Sequence, residues 1–190
     1  HGQELREALH NIINTNVTSI SYNQLWDAYP RTDKKPNGFV WDIYSDIPNG
    51  TPPYEFTFIT DQCGNYSGEG DCYNREHTVP ASWFNDASPM YSDLFHVLPT
   101  DGYVNNRRSN YPYGKVGNAS WTSMNGSKLG SSATSGYSGT VFEPIDSFKG
   151  DIARIYFYMS TRYMDKIANW DGASFQNSDL SSWAKNLFLQ

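Results

Sequence analysis

Nowhere in this chain of 190 residues do eighteen apolar side chains follow one another, the minimum for a helix that crosses a bilayer. A membrane span of that kind is excluded. The first residues also lack a basic segment followed by an apolar run, so the only signal peptide compatible with this stretch is one already removed. Cysteine is nearly missing: Cys63 and Cys72 are the two present, too few for a disulfide-dense scaffold. Histidine is scarce as well, and His77 with His96 does not supply the three ligands at recognisable spacing that a zinc hydrolase needs. Finally, basic charge is short. The formal net charge of −6 argues against a generic polyanion binder, because non-specific nucleic-acid affinity comes mainly from Lys and Arg.

What is present points to a folded, ring-rich protein. Aromatic residues make up 16%, against 18% charged, which favours aromatic-heavy packing over disorder. The length fits one domain spanning residues 1–190, of α+β class. Leu5, Ala8, Leu9, Ile12 and Ile13 recur at helical spacing and predict an amphipathic helix over 2–13. A second helix is predicted over 22–28, capped by Ser19 or Ser21 and ended by Pro30. The β-branched and aromatic content of 39–44 and 54–60 predicts two strands. Two short extended segments, 76–79 and 94–98, are then followed by a helix through 102–108, with Thr100 as its cap. Asn125-Gly126 predicts a hairpin turn, and 151–163, with Ile152, Ile155, Tyr156 and Met159 on one stripe, a largely buried helix.

Chemistry concentrates at Asn74-Arg75-Glu76-His77-Thr78-Val79-Pro80, where a carboxylate beside an imidazole offers a cation ligand and a proton acceptor. Phosphodiester hydrolysis needs an activated water, positive charge on the phosphoryl oxygens and a proton for the departing oxygen. One divalent cation and one histidine are enough for all three. Glu76 and Asn105 would supply two hard oxygen ligands, sufficient for an ion such as Mg²⁺ that keeps several waters, and His77 would remain free as base. In a regular strand Glu76 and His77 face opposite ways, so the strand must twist, bulge or end there. Asn105 and Arg108, three apart on a helix, share a face, which would set a guanidinium for phosphate beside the metal ligand. Around them Arg107, Arg108 and Lys115 against Asp101 reverse the local charge. Just upstream, the turn-rich loop between Cys63 and Cys72 allows a local disulfide, worth about 2 to 3 kcal/mol, or two free thiols in a reducing compartment.

Four stretches in order, Asn74–Pro80, Ser92–Tyr113, Val141–Lys149 and Gly150–Tyr163, make the chain resemble the endonuclease I family of secreted and periplasmic nucleases. The resemblance implies a ββα-metal (His-Me finger) active site within an α+β fold. On it, His77 is the general base, Glu76 the first metal ligand, Asn105 the helix-borne ligand and Arg108 an arginine near the substrate backbone. Arg75, Arg107 and Lys115 are the further candidate substrate contacts. The cofactor would be Mg²⁺, or Ca²⁺ or Mn²⁺ in its place. The substrate would be DNA and also RNA, cut with little base specificity by a monomer to leave 5′-phosphates. Two departures stand out: the interval between His77 and Ser92 carries no basic residue, and a C-terminal Gln-Gly-Asn-(Arg or His)-Asn-Pro run is missing, which predicts a shortened or divergent C-terminus. The rival reading is a non-catalytic surface module for carbohydrate, suggested by the many Tyr and Trp and the net acidity. A glycosidase would need a convergent carboxylate pair, which none of the twenty acidic residues singles out.

Overall fold

The apolar spacing of the N-terminal segment produces α1 (Gly2–Ile13), but this helix docks by its polar side. Residues 2–190 are described in the computed structural model, and His1 lies outside them. Arg6 reaches the Ser160 hydroxyl and the Ser178 carbonyl, His10 the Thr161 carbonyl and Asn14 the Arg162 carbonyl. Most of those acceptors end α4 (Asp146–Arg162), where the last carbonyls of a helix have no partner within it. Arg162 returns a bond to the Ile13 carbonyl. Leu5, Leu9 and Ile12 are consequently left outward, 61%, 43% and 67% exposed.

The second helix, α2 (Leu25–Thr32), starts later than its sequence predicts and runs through Pro30 rather than stopping before it. Leu25 and Tyr29, four apart, are both fully buried, so packing holds the turn that proline would otherwise end. Ser21 does act at its approach, exchanging bonds with Gln24 in a capping-box pattern.

Neither 39–44 nor 54–60 forms a strand; only an isolated Lys34–Val40 bridge and a Val40 to Phe56 backbone bond remain of that expectation. Asp42 explains the first. Its buried carboxylate accepts the Tyr44 N–H at 2.8 Å and the Asp101 N–H at 3.1 Å, so a side chain takes donors that a ladder would have used. The same carboxylate ties this segment to the end of β2 (Val97–Asp101), which pairs antiparallel with β1 (Tyr73–His77).

The order strand, strand, helix is completed by α3 (Gly102–Arg108), which follows β2 directly. β2 begins three residues after the predicted start, because His96 and Val97 donate to the Asp93 carbonyl and the Asp93 side chain accepts from Phe95, making a turn of that stretch. The cap of α3 is Asp101, not Thr100: its carboxylate accepts from Val104 at 2.7 Å. Pro99 sits opposite Arg75 in a sheet of two strands, where each strand has a free edge.

Asn125-Gly126 closes the expected hairpin between β3 (Val116–Thr122) and β4 (Lys128–Ser132), with Gly126 at φ +99°, and β5 (Thr140–Glu143) completes this antiparallel sheet. Next comes α4, begun five residues earlier than predicted, with Phe148, Ile152, Tyr156 and Met159 buried along its stripe. The pair β6 (Phe175–Gln176) and β7 (Asp179–Leu180) and the helix α5 (Ser182–Phe188) finish the chain. Tyr156 backs the site: its hydroxyl donates to the Thr78 carbonyl at 3.0 Å, just past β1. Cys63 and Cys72 are joined, with Cα atoms 5.7 Å apart, and fix the loop that enters β1.

Candidate active site

β1 ends at His77, which is how two neighbours of one strand come to serve one cleft. Beyond it Thr78 turns its N–H to the His96 carbonyl, and Arg108 holds the carbonyls of both His77 and Thr78. Glu76, His77 and Asn105 all line a single cleft of about 350 Å³, together with Arg75, Ser82 and Ser109.

Glu76 is almost wholly enclosed, at 1% exposed, and is braced on one oxygen. Oε1 accepts from the Tyr44 hydroxyl at 2.7 Å, from Arg108 Nη1 at 2.9 Å and from the Tyr113 hydroxyl at 3.4 Å. The two tyrosine hydroxyls are themselves 2.7 Å apart. Burial pushes the carboxyl up from its usual range, and Arg108, Tyr44 and Tyr113 oppose that rise. Oε2 carries none of these bonds.

His77 is fixed in one tautomer by a backbone carbonyl. Its Nε2 lies 3.0 Å from the Tyr91 oxygen, which can only accept, so Nε2 carries the hydrogen and Nδ1 is the basic nitrogen of the neutral ring. Burial, seconded by His96, pushes the imidazole down to about 3, so it is uncharged at neutral pH. The ring is stacked on Tyr91 at 4.9 Å and on Tyr22 at 5.6 Å. His96 is the core histidine its apolar neighbours suggest, fully buried and bonded through Nε2 to the Met90 carbonyl.

Asn105 points its amide from α3 toward β1. Nδ2 donates to Asn74 Oδ1 at 2.7 Å and, at 3.4 Å, to the Arg75 carbonyl, which turns Oδ1 away from those partners as the free acceptor. A carboxylate, an amide and a neutral imidazole thus line the same cleft. That donor set suits an oxygen-loving cation that keeps several waters. Among the described residues no three His, Cys, Asp or Glu gather as a soft or nitrogen-rich metal site would require.

The remaining candidates divide. Arg75 lines the cleft and is held by Tyr22, its guanidinium carbon 3.5 Å from that ring's centroid. Arg108 is a correction: it is fully buried and spends its donors on Glu76, the His77, Thr78 and Tyr111 carbonyls, so it positions the site from behind and has no face for a phosphate. Asn105 and Arg108 do not share a substrate face, because Arg108 is drawn inward by the buried carboxylate. Arg107 lies over Trp121 at 5.3 Å, and exposed Lys115 borders a different pocket with Glu143 and Lys149; neither lines the cleft. Tyr44, Tyr113, Asn74 and Tyr91 are the functional partners that sequence reasoning did not find. Only Asn74 carried a signal, by belonging to the same seven-residue stretch.

Glu76, a neutral His77 and Asn105 thus line one cleft of a mixed α and β protein. The chain belongs to the Endonuclease I family, whose model matches residues 1–190. It is 32% identical over 164 residues to an extracellular ribonuclease of Bacillus amyloliquefaciens and 30% identical over 164 residues to one of Bacillus subtilis (strain 168), covering 85% of this chain and 50% of each relative. It is also 35% identical over 77 residues to Endonuclease-1 of Buchnera aphidicola subsp. Baizongia pistaciae (strain Bp), covering 40% of this chain and 30% of that protein. The chain spans about half the length of the curated ribonucleases it matches. No solved structure matches it significantly. The family and these relatives carry the names of nucleases.

Proposed function

We propose that the chain is a metal-dependent endonuclease of the ββα-metal (His-Me finger) type, acting as a monomer on DNA and RNA with little sequence specificity and leaving 5′-phosphate ends. The observation that carries this reading is His77, tied at Nε2 and basic at Nδ1, on the wall of the same cleft as Glu76 and Asn105. The ribonuclease names of two relatives weigh toward RNA as a substrate, and recognition through backbone contacts, which carry no sequence information, would give little sequence specificity. Their extracellular naming and the Cys63–Cys72 bond support secretion into an oxidising compartment.

In this reading Nδ1 of His77 takes the proton of the attacking water, and the Tyr91 carbonyl stabilises the imidazolium that results through Nε2. Tyr22 and Tyr91 clamp the ring so that the accepting nitrogen keeps its direction. Oε2 of Glu76 and Oδ1 of Asn105 would hold Mg²⁺, with Ca²⁺ or Mn²⁺ able to take its place. The cation supplies positive charge to the phosphoryl oxygens and to the departing oxygen. Tyr44, Tyr113 and Arg108 direct the Glu76 carboxyl and oppose the rise that burial imposes on it, and Asn74 directs the Asn105 amide. The carbohydrate-module reading loses its feature: among the described residues the large exposed apolar side chains include two aromatics, Phe95 and Tyr111, on separate segments.

Nicking of a supercoiled plasmid and cleavage of a single-stranded RNA test the reading. Both are expected to stop in excess chelator and to return when Mg²⁺ is restored in excess. Cleavage that continues undiminished after exhaustive chelation would sink the cation-dependent reading.

A further inference from the structure

A second pocket adjoins the first and shares Arg75 with it. About 490 Å³ in volume, it is lined by Tyr22, Trp26, Gln62, Cys63, Asn74 and Arg75, and the cleft described above uses Arg75 from the other side. Resting on the proposed nuclease reading, we propose that this pocket receives one unpaired nucleobase of the substrate strand, flanking the phosphate that is cut.

The platform is built before any substrate arrives. The Arg75 guanidinium lies 3.5 Å from the Tyr22 ring centroid and 4.4 Å from that of Trp26, and Nη1 donates to the Tyr22 carbonyl at 2.8 Å. Two rings and a backbone acceptor thus immobilise a planar cation. A guanidinium held against aromatic rings in the wall of a pocket can itself stack with a base, as happens to unpaired bases in single-strand recognition. Trp26 is in turn held edge-on by Tyr29, at 6.0 Å, and Tyr73, at 5.6 Å. Opposite, the Cys63–Cys72 bond stiffens the rim.

Polar groups are available for a base edge. Asn74, which lines the pocket, carries an amide whose Oδ1 accepts from Asn105. Gln62 contributes a second amide to the lining. The pocket is therefore coupled to the chemistry through Asn74, which lines it and whose oxygen orients the Asn105 amide. A base in a closed duplex cannot leave its stack without an energetic cost, so such a pocket favours unpaired strands without demanding one sequence.

The test is equilibrium binding, in chelator, of His77→Ala protein to a labelled unpaired oligonucleotide and to versions with an abasic residue at successive positions. At one position the abasic strand is expected to bind about tenfold to a hundredfold more weakly, the usual effect of losing one stacked base. Arg75→Met and Trp26→Leu proteins, each shown folded by thermal melting, are expected to bind intact and abasic strands alike. If every abasic strand binds within about twofold of the intact one, or if Arg75→Met weakens both strands equally and keeps the difference, the pocket is not a base site. Cleavage of the intact strand by the wild-type protein is scored in parallel. Cleavage without abasic sensitivity overturns the base pocket alone, whereas neither cleavage nor binding overturns the nuclease reading beneath it.

Discussion

Replacing His77 with alanine is expected to lower cleavage of both DNA and RNA by about a hundredfold to ten-thousandfold while the protein stays folded. That range is what one positioned general base contributes. Its ring is held by stacking and by one carbonyl, not by a buried charge, so its removal leaves no uncompensated ion behind. Initial rates on plasmid and RNA, with a thermal melt for folding, check the result. His77→Ala protein that cuts within threefold of wild type would remove His77 from the chemistry. The change should also act on rate more than on substrate affinity, since nothing in the geometry makes the imidazole a phosphate anchor.

Arg108 carries the second large effect, and here stability is the sharper reading. Arg108→Met strands the Glu76 carboxylate in a fully buried position and frees the carbonyls at the end of β1. A loss of about 3 to 5 kcal/mol is expected, read as a lower denaturant midpoint, together with a collapse of activity. Arg108→Lys should restore little of either, because one ammonium cannot reach Glu76 and three backbone oxygens in the directions a guanidinium serves. A surface arginine that touched phosphate would behave differently, costing substrate affinity and salt dependence at nearly unchanged stability. An Arg108→Met protein of wild-type stability with weakened substrate binding would return the residue to the surface role that the helix spacing alone suggested.

That contrast shows where sequence reasoning stops. Periodicity found α1 and flanking signals found α3 because both are local, and Asn125-Gly126 marked its turn because positive φ selects glycine at any depth of fold. The same local logic failed for 39–44, whose composition suits a strand while the Asp42 carboxylate accepts the Tyr44 N–H beside it and the N–H of distant Asp101. It failed again at Pro30, where buried Leu25 and Tyr29 outweigh the proline.

The candidate site was legible to the same degree. Glu76, His77 and Asn105 were readable because the chemistry demands those residue types and the stretch resembles a family. What braces them was not: Tyr44 lies 32 residues before Glu76 and Tyr113 lies 37 after it, and no spacing rule joins a tyrosine to a carboxylate at such separations. Nor does sequence tell an arginine that faces substrate from one that faces inward. Arg75 and Arg108 are both basic residues near the motif, yet one is laid on two rings at the mouth of the cleft and the other is sealed beneath it.

The most direct measurement is a crystal of the protein soaked with Mn²⁺ and read by anomalous scattering. One peak is predicted within about 2.0 to 2.6 Å of both Glu76 Oε2 and Asn105 Oδ1, with waters completing its shell and His77 uncoordinated. A fully soaked crystal with the manganese bound elsewhere, or bound through the His77 ring, would contradict the account.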